Sequence, residues 1–135
     1  MSDLVFLYSA NEADLDFFYK VRTDPEVMLN SINSEPISYA NHARWFANVI
    51  TPRFTIRLMP NRDRIGTATI SLENAGELSV SLLPEYRGRG CGSQAIAQLV
   101  GRCLDLGLEP FARIKWDNAA SIKAFQKSGV RIEYV

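Results

Sequence analysis

The sequence predicts a single domain built on a mixed α/β sheet. Three observations predict it. The chain has 135 residues, 47% hydrophobic and 22% charged, which fits one soluble core without disulfide staples. Segments of alternating apolar and polar residues interleave with segments whose apolar residues recur at helical spacing. Short turn-rich stretches separate them. The predicted order is β-α-α-β-β-β-α-β-α-β.

Leu4 to Tyr8 is an apolar run and reads as a strand. Asn11 caps a helix whose inward residues are Leu15, Phe18, Tyr19 and Arg22, and Asp24-Pro25 stops it, because the residue before proline avoids the helical region. Residues 30–37 are polar, contain Pro36 and read as a loop. Ser38 caps a second helix with a stripe of His42, Trp45, Phe46, Val49 and Ile50, closed by Thr51-Pro52. Phe54, Ile56 and Leu58 alternate with polar neighbours. A turn at Pro60–Asp63 leads to a strand from Ile65 to Leu72, with Ala68, Ile70 and Leu72 on one face. A second turn, Glu73–Gly76, precedes a strand from Glu77 to Leu83. After a glycine-rich loop, Ile96, Leu99, Val100, Cys103 and Leu104 mark a helix closed at Leu106-Gly107. Phe111 to Trp116 is a strand, Asn118 caps a short helix ended by Gly129, and Val130 to Tyr134 is the last strand.

Composition excludes several functions. Lys plus Arg is 15 and Asp plus Glu is 15, so no basic surplus points to nucleic acid. Cys91, Cys103 and His42 do not make a four-ligand zinc site, so no metal is expected. The N-terminus has no basic leader, and no run approaches the ~20 apolar residues that span a bilayer. A reduced cytoplasmic protein with no membrane partner is the expectation.

The strongest local signal is Pro84-Glu85-Tyr86-Arg87-Gly88-Arg89-Gly90-Cys91-Gly92-Ser93, placed between a strand and a helix. Glycines allow tight turns and close approach, and the free amides of a helix start favour an anion. Arg87 and Arg89 add positive charge. Taken alone, the loop reads either as a phosphate cradle or as a glycine-rich turn with two solvated arginines. It lacks the lysine of a Walker loop, and its Gly88-x-Gly90-x-Gly92 spacing fails the dinucleotide fingerprint. A second segment, Asn118-Ala119-Ala120-Ser121-Ile122-Lys123-Ala124-Phe125-Gln126-Lys127-Ser128-Gly129, taken alone is a capped helix with a core phenylalanine.

Together the two segments are more specific. Arg-x-x-Gly-x-Gly at 87–92 resembles the acetyl-CoA loop of the GCN5-related N-acetyltransferase (GNAT) superfamily. Asn-x-x-Ser-x-x-x-Phe-x-Lys-x-Gly at 118–129 resembles that superfamily's following motif. The element order matches too, so the resemblance covers nearly the whole chain. It implies one acetyl-CoA-binding N-acetyltransferase domain over residues 1–135, with a mixed, mostly antiparallel sheet flanked by helices. It also implies that Arg87, Gly88, Arg89, Gly90, Cys91, Gly92 and Ser93 hold the pyrophosphate, largely through backbone amides. Leu82 and Leu83 end the strand that, in the family, splays from its neighbour, opening backbone partners for the pantetheine arm. Asn118 contacts that arm or its loop, Phe125 sits where family members often carry a tyrosine acid, and Lys127 approaches the nucleotide phosphates. The family usually adds a further strand after the one ending here, and an open sheet edge invites pairing with a second copy.

The implied chemistry is attack of an amine on a thioester, which needs a base for the amine proton and a donor for the developing oxyanion. Glu77, Glu73 and His42 are the candidate bases, with Glu77 ranked first because it begins the strand that ends at the loop. Ser79 and Ser81 share its face and offer a water chain. His42 also reads as a packed core histidine, and Trp45 and Phe46 as core aromatics. Cys91 reads as a small loop residue and Cys103 as an inert core thiol. The expected acceptor is the primary amine of a small molecule, with an amino-sugar nucleotide as one example. A protein N-terminus and a non-catalytic acyl-CoA-sensing role are the alternatives.

Overall fold

The computed structural model describes residues 3–48 and 51–135. Among them six strands form one sheet in sequence order: β1 Val5–Ser9, β2 Arg53–Leu58, β3 Asp63–Ser71, β4 Glu77–Leu82, β5 Phe111–Ile114 and β6 Arg131–Tyr134. The helices are α1 Leu15–Thr23, α2 Pro25–Asn30, α3 Tyr39–Phe46, α4 Cys91–Asp105 and α5 Ala119–Lys127. Strands β1 to β4 pair antiparallel, whereas β4–β5 and β5–β6 pair parallel. This is the mixed sheet the sequence predicts.

One helix was not predicted. Asp24-Pro25 does end α1, but it also begins α2. The Asp24 carboxylate accepts from the amides of Glu26 and Val27 at 3.0 and 3.1 Å. Pro25 takes the first helical position, where its missing N–H costs nothing. A proline read only as a stop hides half of its meaning. Other boundaries shift for local reasons. Asn11 caps a 3-10 turn, Glu12–Asp14, that leads into α1. Leu72 lies past the end of β3 and is exposed, β5 stops before the exposed Trp116, and Leu104 falls off the buried side of α4. Val49 and Ile50, expected on the stripe of α3, lie outside the described residues.

Strand alternation sets the two layers. Leu78 joins the main core with Val5, Ile56, Ile65 and Ile70, against Ile96, Leu99 and Cys103 of α4 and Phe125 of α5. Leu83, of opposite parity, packs instead with Val21 of α1 and Val27 of α2. So α4 and α5 cover one face, and α1 and α2 the other.

Polar groups fasten these layers. Gln94 and Gln98 lie one turn apart on α4, a rise of about 6 Å that nearly matches a two-residue strand repeat. Their Oε1 atoms accept from the Val5 and Leu7 amides at 3.0 Å each. Their Nε2 atoms donate to the Asp3 and Val5 carbonyls at 2.5 and 2.8 Å. Side chains thus finish the outer edge of β1, which would otherwise be open to pairing. On the opposite face the buried Asp14 accepts from Arg64 Nε at 2.8 Å, Arg57 Nη2 at 3.3 Å and the Asn11 amide at 2.9 Å. This joins the start of α1 to β2 and β3.

His42 is 3% exposed. Its ring lies 5.2 Å from Tyr19 and 5.5 Å from Trp45, centroid to centroid, and Phe46 packs on Phe18 at 5.2 Å. Burial lowers its pKa below the ordinary 6.5; a hydrogen bond with the Leu15 backbone opposes this, and Arg22 adds to it.

Two predictions follow from this packing. A Cβ on Gly66 of β3 would lie 2.3 Å from the Ser81 carbonyl oxygen and 2.9 Å from Leu82 Cδ2. Gly66→Ala is therefore expected to cost about 3 kcal/mol, seen as a fall in thermal midpoint of roughly 10 °C. An unchanged midpoint would mean that β4 has room to move away. For His42, folded and unfolded chains both hold a neutral ring above pH 6.5. Below that value the unfolded chain takes up a proton that the folded chain resists. Stability should fall as pH drops from 6.5 through the depressed folded value. In His42→Phe, denaturant midpoints measured between pH 7.5 and 5.5 should lose that part of the slope.

Candidate active site

The site begins where the sheet stops pairing. Strands β4 and β5 share one register position, Glu77 opposite Phe111, with the Phe111 amide donating to the Gly76 carbonyl at 3.2 Å. Beyond it the strands diverge. On its other side β4 stays paired with β3 up to Leu82, and the Leu83 amide donates to the Ile65 carbonyl at 2.9 Å. Residues of an antiparallel ladder alternate in the direction of their backbone groups. Val80 and Leu82 therefore turn their N–H and C=O groups away from β3 and into the gap.

Two connected clefts occupy this gap. One, of about 460 Å³, is lined by Leu82, Arg87, Gly88, Gly90, Gly92, Ser93, Asn118, Lys123, Phe125 and Lys127, among others. The other, of about 390 Å³, is lined by Ser71, Glu77, Ser79, Arg113 and Lys115, among others. Asn30, Ser31, Val80, Ser81, Asn118, Ser121 and Phe125 line both.

At the mouth of the first cleft, Gly88 and Gly90 take left-handed φ values of 73° and 81°. A Cβ on either would meet nothing within 4 Å, so the space in front of the loop is open. Gly90 caps α4 without any side-chain acceptor. The amides of Cys91, Gly92 and Ser93 thus lack helical partners and stand at the positive end of the helix dipole. The expected loop residues divide here. Arg87 lines the cleft, yet its guanidinium is held by the Leu82 carbonyl at 3.2 Å and by Glu26 at 3.3 Å. Arg89 turns away to pair with Asp3 at 2.6 Å, over the Tyr86 ring. Cys91 is buried in the main core, where burial raises its thiol pKa.

Asn118, Phe125 and Lys127 all line the first cleft, with the Asn118 side chain also capping α5 through the Ser121 amide at 3.4 Å. Leu82 lines it, whereas Leu83 is buried on the α1–α2 side. Lys123 was not anticipated. It lies one turn before Lys127, beside the small Ala120 and Ala124, and that four-residue spacing was the available signal.

Of the candidate bases, Glu77 alone lines a cleft. It is 9% exposed, accepting from Asn74 Nδ2 at 2.8 Å through Oε1 and from Arg113 Nε at 3.0 Å through Oε2. It is also the only carboxylate among the residues that line either cleft. Glu73 is exposed in a turn and lines neither. His42 sits among the aromatics of α1 and α3, as its packed-core reading has it, and also lines neither. Asn30, Ser31, Arg113 and Lys115 were not singled out by the sequence. The first two belong to the unpredicted α2 and the loop after it.

Solved structures share this fold. A domain from Methanocaldococcus jannaschii superposes with a TM-score of 0.82 at 20% identity, over 95% of this chain and 88% of that one. A GNAT-superfamily phosphinothricin acetyltransferase from Sinorhizobium meliloti, in complex with AcCoA, gives 0.77 at 27% identity, over 96% and 75%. Spermidine N-acetyltransferase from Vibrio cholerae, in complex with CoA and spermine, gives 0.78 at 16% identity, over 93% and 79%. No curated protein matches the sequence. The family model described as an acetyltransferase (GNAT) domain matches residues 5–131, so this chain, with its splayed strands and glycine cradle, belongs to the GNAT acetyltransferase family.

Proposed function

We propose that this chain transfers an acetyl group from acetyl-CoA to the primary amine of a small molecule. The observation that carries the reading is the gap between β4 and β5. It runs from an uncapped helix start to a polar cleft and exposes the backbone of Val80 and Leu82 between them. Acetyl-CoA has anionic phosphates, an amide-bearing arm and a terminal thioester, and the residues present fit each part. The space in front of Gly88 and Gly90 is open, the free amides at the start of α4 suit phosphate, and Lys123 and Lys127 line the same cleft and add charge. The N–H and C=O of Val80 and the N–H of Leu82 suit an extended arm, as a further strand would, while the Leu82 carbonyl is held by Arg87. Binding through the loop rests on amides more than on arginines, since Arg87 and Arg89 have partners within the chain.

When bound, acetyl-CoA supplies the thioester that the amine attacks. The chain's own part is to position the amine, hold its proton and stabilise negative charge. The Leu82 amide, aimed into the gap, is the donor for the developing oxyanion. Glu77 is the base, reached through water along Ser79 and Ser81. Phe125 has no proton to give the departing thiol, whose ordinary pKa of ~8.5 makes it a tolerable leaving group without one. The second cleft suits a small acceptor; an amino-sugar nucleotide and a protein N-terminus both present such an amine. A non-catalytic sensor would bind CoA and turn nothing over.

The reading is tested at the cradle. Gly90→Asp puts a carboxylate on an unfavourable backbone geometry at the phosphate position, so calorimetric CoA affinity should fall at least tenfold while the fold survives. Unchanged affinity would relocate the cofactor.

Glu77→Gln keeps the shape of the side chain and removes its basicity. Turnover should fall roughly 10²-fold at neutral pH with CoA affinity retained, and should recover as pH rises and the amine becomes neutral unaided. Full activity at neutral pH would mean that the acceptor arrives deprotonated.

A further inference from the structure

The second cleft carries a charge that acetyl transfer does not explain. Its charged side chains are Glu77, Arg113 and Lys115; Arg113 lies on β5, Lys115 directly follows the strand's last residue, and both line the same cleft. Glu77 and Arg113 neutralise each other through Nε at 3.0 Å. Among the described residues, no protein group accepts from the two terminal nitrogens of Arg113. Among the same described residues, the ammonium of Lys115 donates only to the Leu29 carbonyl, at 3.0 Å, and pairs with no acid. A carbonyl satisfies one donor without cancelling charge. The cleft therefore holds a fixed cation, a planar guanidinium with free donors, and the hydroxyls of Ser79 and Ser81.

Such a site discriminates by sign. An uncompensated cation in a recess attracts an anion more strongly than it would in open water. The same charge repels a polyamine or a lysine side chain. A guanidinium fork matches the paired oxygens of a carboxylate or phosphate.

We propose that the acceptor of this enzyme carries an anionic group, a carboxylate or a phosphate, beside its reactive amine, and that Lys115 and Arg113 seat that group. Glu77 is a positioning residue for the guanidinium in this role, in addition to its part with the amine. The proposal deepens the acetyltransfer reading and rests on the second cleft being the acceptor side.

The test uses matched pairs of amines with the full chain, reading CoA release. Alanine against alaninamide isolates a carboxylate, and O-phosphoethanolamine against ethanolamine isolates a phosphate; spermidine is the cationic control. The wild-type chain should favour at least one anionic member over its uncharged partner by about tenfold or more in kcat/KM, with spermidine below both. The favoured pair identifies the anion. Lys115→Gln keeps a donor for the Leu29 carbonyl and loses the charge. It should shrink that preference about tenfold, through KM, while calorimetric CoA affinity holds. Arg113→Gln should shrink it independently. A wild-type preference of one or less in both pairs, or a preference unchanged in both variants, overturns the proposal while leaving acetyltransfer intact. A wild-type chain that does not bind CoA at all overturns the acetyltransfer reading, and the proposal with it.

Discussion

Glu77 opposite Phe111 is the single position at which β4 and β5 are tied, and the site depends on that tie standing alone. Had pairing continued, the ladder would have consumed the backbone groups of Val80 and Leu82, and no passage would cross the sheet. Had it failed altogether, β5 and β6 would have been held only by α5 and the core. Unpaired backbone groups are costly when shut away from water. Here the Leu82 carbonyl accepts from Arg87 at 3.2 Å, and the Leu82 amide and the Val80 groups face a cleft, where solvent or an extended ligand satisfies them. The divergence is held open from both faces, by Phe125 and α4 on one and by Leu83 with Val21 and Val27 on the other. The close approach of Gly66 to Ser81 and Leu82 keeps β4 against β3 while β5 departs.

Formal neutrality of the chain conceals a division of charge. Arg87, Lys123, Lys127, Arg113 and Lys115 line the clefts against one acid, Glu77. Other acids are occupied in structural tasks. Asp14 binds two arginines under α1, Asp24 caps α2, and Asp16 accepts from the Tyr39 hydroxyl at 2.6 Å. A count of charges in the sequence cannot see this, because only folding decides which charges face the same space.

Much of the architecture was nevertheless legible. The strand alternation from Phe54 to Leu83 and the helical stripe from Ile96 to Cys103 each depend on local periodicity, and folding obeyed it. The glycine-rich turn into α4 was legible because left-handed turns and a helix start leave a residue-level trace at 88–92. The rest was written in long-range terms. Nothing local in Ala112 or Val80 says that two predicted strands will pair at one position and then part. His42 lies on an apolar stripe, and that stripe faced the aromatics of α1 instead of a pocket. Asp24-Pro25 carried two meanings at once, and losing the second concealed Asn30 and Ser31. Arg113 and Lys115 carry no local sign of a site; they line a cavity because β4 and β5 diverge beyond Glu77.

The two cysteines bear on how such an enzyme can be watched. Cys91 and Cys103 are 1% and 0% exposed, and burial raises both thiol pKa values above the ordinary 9.0. Disulfide exchange requires an accessible thiolate, and neither condition is met in the folded chain. A colorimetric disulfide reagent added during turnover would therefore titrate the thiol of liberated coenzyme against a nearly silent protein background, and a slow rise in that background would register unfolding.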